Sequence, residues 1–186
     1  MTPMAQSGDL TIKTTSIPVE LIEQISRGNG LVFVGEYITC VGGNGCELEA
    51  WSAELARRSG LGEQPGSTTA AFHTASQLYE DMHGRQALVQ FVRDELDRAG
   101  DAPSEVHRLL AGLRECRVFV TTCLDRRLEH ALTDAGRPPV VLARNFDVAF
   151  TDEQRTQVYR IRGTPEQVDS LVLTEDDCDQ FFEDED

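Results

Sequence analysis

No apolar run in the sequence approaches the roughly 20 residues that a membrane-spanning helix needs. Met1 to Thr15 is polar and holds no hydrophobic signal core, so the expectation is a chain that is not exported and resides in the cytoplasm, without membrane contact. Positive charge is also scarce. Lys and Arg total 17 against 32 Asp and Glu, for a net charge of −15, a field that repels nucleic acid and anionic lipid surfaces alike. The five cysteines (Cys40, Cys46, Cys116, Cys123 and Cys178) form no C-x-x-C pair and have no clustered histidines beside them, so no metal is expected. Their odd number in a reducing compartment favours buried free thiols over disulfides.

What is present is a chain of 186 residues, 40% hydrophobic and 26% charged, suited to one α/β domain. Its organising stretch is Leu31-Val32-Phe33-Val34-Gly35, a continuous apolar run ending at glycine, as a buried strand does when it feeds a tight turn. Glu36-Tyr37-Ile38-Thr39 and the glycine-rich Gly42-Gly43-Asn44-Gly45 follow, where a dinucleotide fold would cradle a pyrophosphate. A phosphate loop works through bare backbone N–H groups, whereas here a carboxylate and a phenol directly follow the first glycine. The site reads as a nucleotide loop that has been altered.

The remaining chain divides into a flexible arm (residues 1–16), an α/β domain (17–182) and an acidic tail (183–186). Leu21, Ile22 and Ile25 form the stripe of a first helix behind Pro18, which suits a first helical turn. A helical block follows the first strand. Leu48, Trp51, Leu55 and Ala56 recur at helical spacing, Ala70 to Met82 reads as a second helix, and Gly84 separates it from a third with Leu88, Phe91 and Val92 inward. Ser104 caps a fourth helix with Val106, Leu109 and Leu110 inward. Trp51 reads as a core anchor, the alternative being a stack on a base. Arg117–Thr122, Pro139–Ala143 and Gln157–Ile161 read as strands, Leu124–Thr133 as a helix, Ser170–Leu173 as a fifth strand, and Thr174 as the cap of a terminal helix. The expected fold is a Rossmann-like parallel sheet with a helical insertion block after the first strand. The strands at Leu31, Val118 and Val140 should be adjacent, with the first lying between others.

The order of these signatures resembles the bacterial sirtuin-like domains, the NAD-consuming type found in antiphage defence. The matching segments are Ile17 to Ile25, Leu31 to Gly35, Thr121-Thr122 with Asp125 and Leu128-Glu129, and Asp169 to Asp177. The resemblance implies a site for NAD or ADP-ribose with Gly35, Glu36, Tyr37, Thr39, Thr121, Thr122 and Gly163 at the cofactor and Cys123, Asp125 and Arg162 at the reaction positions. That site should lie at the carboxyl ends of the strands. Such domains also continue past the terminal helix, so the sheet is expected to be smaller here or the chain to be truncated at its C-terminus.

The departures from the family pattern bear on activity. The family's G-A-G-[IL]-S is Gly35-Glu36-Tyr37-Ile38-Thr39, its T-T-N-Y-D is Thr121-Thr122-Cys123-Leu124-Asp125, and its H-G is Arg162-Gly163. Arginine does not deprotonate in proteins, so Arg162 is no general base, and Cys123 lacks the amide that would hold water and ribose. Glu36 about 4 Å from a phosphate would oppose binding by roughly 4 kcal/mol at an effective dielectric near 20. The resemblance thus implies a degenerate domain with a regulatory, scaffolding or nucleotide-sensing role, a nucleotide ligand, and a protein partner or second copy. The alternatives are an active NAD glycohydrolase and a pure protein-interaction module. Cys123 could instead be a thiolate nucleophile with His107 or His130 as base. His73 and His83 read as packing residues, and Asp125 as a cap orienting its turn. Glu36 and Arg162, of opposite charge, are expected to meet across the cleft as a plug.

Overall fold

The computed structural model describes residues 18–40, 47–60, 69–143 and 154–183; the arm, the loop Gly42–Gly45 and the last residues of the tail lie outside them. Chain order is α1 (Val19–Ser26), β1 (Leu31–Val34), a 3-10 turn (Glu36–Cys40), α2 (Glu47–Arg58), α3 (Thr69–His83), α4 (Arg85–Ala99) and α5 (Glu105–Ala111). Then come β2 (Val118–Thr121), α6 (Arg127–Asp134), β3 (Val140–Leu142), β4 (Gln157–Arg160), a 3-10 turn (Val168–Ser170) and α7 (Glu175–Glu183). The fold is α/β, with four parallel strands and the expected helical block, α2 to α5, after the first of them.

The strand order is β1-β2-β4-β3, which corrects two expectations. β4 lies between β2 and β3, and β1 stands at an edge of the described sheet rather than between others. Burial accounts for this order. β4 buries Gln157, Val158 and Arg160, so it needs neighbours on both sides, whereas β3 is three residues long, follows Pro138-Pro139 and leaves Val141 exposed, as an edge strand does. Register pairs Val34 with Thr121 and Thr121 with Arg160, so three strand ends come level at one place.

Two cores flank that place. Val34, Phe119, Val158, Leu128 and Leu132 form one, between the sheet and the α5–α6 pair. The other lies in the helical block, where Trp51, Leu55, Phe72, Leu88 and Val92 receive Leu124, Leu171 and Leu173 from the loops beyond the strands. Leu171 and Leu173 therefore serve the helical core. Ser170–Leu173 is a turn and an extended stretch tied by one backbone bond from Val172 N to Arg162 O (3.2 Å), not a fifth strand. On the opposite face Leu31 and Phe33 of the edge strand β1 are exposed.

Three further details differ from expectation. Helix α6 begins at Arg127, because the Asp125 carboxylate accepts the Arg127 N–H (2.9 Å) and makes Leu124–Arg126 a turn. In α5 His107 and Ala111 are buried and Leu110 packs against the sheet core as expected, but Leu109 is exposed; the His107 ring lies 2.7 Å from the Ser104 hydroxyl and accepts the Ser104 N–H. Leu21 and Ile22 of α1 are half exposed, and only Ile25 of that stripe packs against the sheet core. Among the described residues no helix is long and apolar enough to cross a membrane.

Candidate functional site

The loops that leave β1, β2 and β4 converge over the level strand ends. Gly35 turns the chain after β1, and its carbonyl accepts the Cys123 thiol at 3.5 Å. Thr122 N–H reaches back to Val34 O (3.1 Å), and Thr121 Oγ1 accepts the Cys123 N–H (3.0 Å). Gly35, Thr121, Thr122, Cys123 and Asp125 thus come together although 90 residues of sequence separate the ends of the group.

Glu36 stands at the start of the 3-10 turn, where its two carboxylate oxygens accept the hydroxyls of Thr69 and Thr122. Burial alone would raise its pKa, but these two hydroxyls outweigh it and hold the carboxyl below its ordinary value. Glu36 is therefore charged at neutral pH.

Arg162 follows β4 and is 4% exposed. Its Nε donates to Val172 O (3.2 Å), and its guanidinium carbon sits 5.0 Å from the centre of the Phe72 ring, a cation–π contact. Both terminal nitrogens are buried without a hydrogen-bond partner. Burial pushes its pKa down, and the Glu36 charge opposes that shift. The two side chains line one small cavity of about 20 Å³ with Trp51, Cys123 and Asp125, where each charge acts on the other's pKa while the terminal nitrogens of Arg162 make no hydrogen bond to Glu36. The threonine hydroxyls satisfy Glu36 locally, while Val172 and Phe72 fix Arg162. A larger cavity of about 400 Å³ shares Leu124 and Asp125 with the small one.

Burial pushes the Cys123 thiol up to about 12 and the Asp125 and Glu36 charges add to that, while the Thr121 hydroxyl and the Arg160 charge oppose it, a setting that disfavours the thiolate. Neither expected base reaches it: His107 is taken up with Ser104, and His130 Nδ1 lies 3.1 Å from Asp101 O. His83 stacks on Tyr79 with ring centres 4.5 Å apart, and His73 Nδ1 lies 3.2 Å from Cys178 Sγ. Asp125 caps its turn, as expected.

The other cofactor positions are less central. Tyr37 is 44% exposed, and Thr39 lies within the 3-10 turn. Gly163 has φ +73°, and a Cβ there would meet Ser170 O at 2.0 Å, so local backbone packing alone demands glycine.

Sequence reasoning passed over the residue that holds the site together. Arg160, 3% exposed, donates through Nε to Glu129 (2.7 Å) and through its terminal nitrogens to the carbonyls of Cys123, Leu124 (3.1 Å) and Asp125. It fastens the post-β2 loop to β4 and α6. A charged residue inside an otherwise buried strand was the available signal. Thr69 and Phe72, both from α3, were also missed as site residues, since nothing local marks them as neighbours of Glu36 and Arg162.

A parallel α/β sheet with its residue cluster at the strand ends is the architecture of a dinucleotide-binding domain, and sequence comparison specifies the kind. Residues 117–186 match the SIR2-like domain family. An NAD(+) hydrolase ThsA of Cytobacillus dafuensis is 27% identical over 165 residues, 88% of this chain and 32% of that protein. A second NAD(+) hydrolase ThsA, of Enterococcus faecium, is 28% identical over 168 residues, 87% of the chain and 33% of that protein. Over residues 117–186 the chain is similar to that SIR2-like family, and it spans about a third of the length of the curated relatives it matches.

Proposed function

We propose that this domain holds an NAD- or ADP-ribose-type nucleotide without hydrolysing it efficiently, and serves as a regulatory or sensing module of a cytoplasmic antiphage system, working through a protein partner or a second copy. The observation that carries this reading is that, among the described residues, no histidine lines the small cavity, where Arg162 stands buried and permanently charged beside a Cys123 thiol that burial holds protonated. The carboxylates in its lining are engaged, Glu36 by the Thr69 and Thr122 hydroxyls, Glu47 by Arg127 and Asp125 by the Arg127 N–H, an arrangement suited to orienting a ligand rather than to moving the proton that water attack requires. The names of the relatives favour a second reading, an active NAD hydrolase. Asp125 is the carboxylate such an enzyme would have available.

The deciding experiment incubates the pure chain with NAD and measures released nicotinamide by liquid chromatography, with a calorimetric titration of NAD and ADP-ribose alongside. Heat of binding without nicotinamide release is expected. Turnover that Asp125→Ala or Cys123→Ala abolishes would refute the proposal in favour of the hydrolase.

A further inference from the structure

We infer that Arg162 is a binding residue for an oxyanion, and that its two unfilled terminal nitrogens receive phosphoryl oxygen from the nucleotide of the preceding reading, on which this inference rests. Buried polar groups are almost always hydrogen-bonded, and a guanidinium cannot relieve its burial by losing a proton. Arg162 nonetheless keeps both terminal nitrogens without an acceptor while 4% exposed. The fork is not free to turn toward a protein acceptor. Its Nε is bound to Val172 O, its guanidinium carbon lies 5.0 Å from the centre of the Phe72 ring, and the side chain lines the cavity beside Cys123 and Trp51. The Glu36 charge acts on Arg162 across that cavity, but its carboxylate accepts from Thr69 and Thr122 and hydrogen-bonds neither terminal nitrogen.

The same two residues explain where a phosphate goes. The turn after β1, which would ordinarily offer backbone N–H groups to a diphosphate, carries the ionised Glu36 on the same cavity, and Arg162 is the cation in that lining that offsets its charge. Arg162 offers instead two parallel donors in the geometry that matches two oxygens of one phosphoryl group. The cavity of about 20 Å³ is too small for a whole nucleotide, so only the oxygen edge of a phosphoryl group enters and the remainder of the ligand stays outside. The replacement of the family histidine by arginine then converts a reaction position into an anchoring one.

The test titrates ADP-ribose, inorganic phosphate and adenosine into the wild-type chain, Arg162→Met and Arg162→Lys, by calorimetry and thermal melting. Wild type is expected to bind ADP-ribose, to bind phosphate more weakly and to ignore adenosine. Arg162→Met should weaken ADP-ribose binding by about 10- to 100-fold, the loss of a hydrogen bond to a charged group. Without ligand it should melt at or above the wild-type temperature, because an unpartnered buried charge has been removed. Arg162→Lys should retain part of the binding and keeps the test decisive if the methionine variant does not fold. Equal ADP-ribose binding by wild type and variants overturns the oxyanion role and leaves nucleotide holding intact. Arg162-dependent binding of phosphate with none of ADP-ribose upholds the oxyanion role and overturns the nucleotide. No Arg162-dependent binding of either overturns the inference and assigns the donors to a buried water.

Discussion

Replacing Arg160 by methionine should cost the domain about 3–5 kcal/mol, the loss seen when one partner of a buried ion pair is removed. The wild-type side chain is 3% exposed and gives its Nε to Glu129 and its terminal nitrogens to three successive backbone carbonyls, Cys123 to Asp125. Methionine fills much of the space but donates nothing. Glu129, whose Oε2 already has no partner, would then be a buried carboxylate facing no cation. Domains have only about 5–15 kcal/mol of stability in total, so the variant should melt roughly 6–20 °C lower. Urea unfolding followed by far-ultraviolet circular dichroism gives the free energy directly. The double variant Arg160→Met, Glu129→Met should recover most of the loss, since replacing both members of a buried pair by apolar groups is often neutral. A loss below about 1 kcal/mol in the single variant, or no recovery in the double, would refute the assignment of Arg160 as the clamp of the post-β2 loop.

Gly163→Ala should destabilise by at least about 2 kcal/mol, with or without nucleotide, because the added methyl meets Ser170 O and the backbone is held at positive φ; a variant as stable as wild type in urea would show that the turn relaxes freely. His73 gives a pH dependence. Burial, then the Arg162 charge, hold its pKa at about 4 against an ordinary 6.5, so below pH 6.5 the unfolded chain takes up a proton that the folded chain refuses. Stability should fall as pH drops from 6.5 toward 4 and should fall less in His73→Gln, a contrast read from chemical unfolding at several pH values. Identical profiles for the two proteins would contradict the burial of that ring.

Local signals reached the elements and stopped short of their arrangement. The run Leu31–Val34 is a strand because four apolar residues end at a glycine, and Gly84, with φ +84°, separates α3 from α4 because no side chain sits easily in that conformation. Which strand lies beside which is a matter of the whole sheet. Nothing in Val140–Leu142 says that β4, later in the chain, will occupy the place next to β2. In α5 periodicity found Leu110 but misplaced Leu109, which is exposed, while His107, held by Ser104, takes a buried position that its polarity did not announce. The site positions taken from the family pattern on β1 and β2 converge as expected, while their partners Thr69 and Phe72 come from a helix inserted between those strands.

Arg160 and Arg162 illustrate the limit most clearly. They stand two residues apart at the end of one strand, both are almost wholly buried, and the string Arg-Ile-Arg does not distinguish them. Their partners do. Arg160 donates to a carboxylate and three carbonyls, so it is a structural clamp whose charge is answered within the protein. Arg162 has one carbonyl and an aromatic face, and keeps two donors without an acceptor on a side chain that lines a cavity. The same substitution by methionine should therefore act in opposite directions, lowering stability at Arg160 and leaving it equal or higher at Arg162, with ligand affinity lost only at the second once the fold of the first is restored by Glu129→Met. If both single variants lose stability to the same degree, Arg162 is answered by the protein after all, and its position carries no ligand.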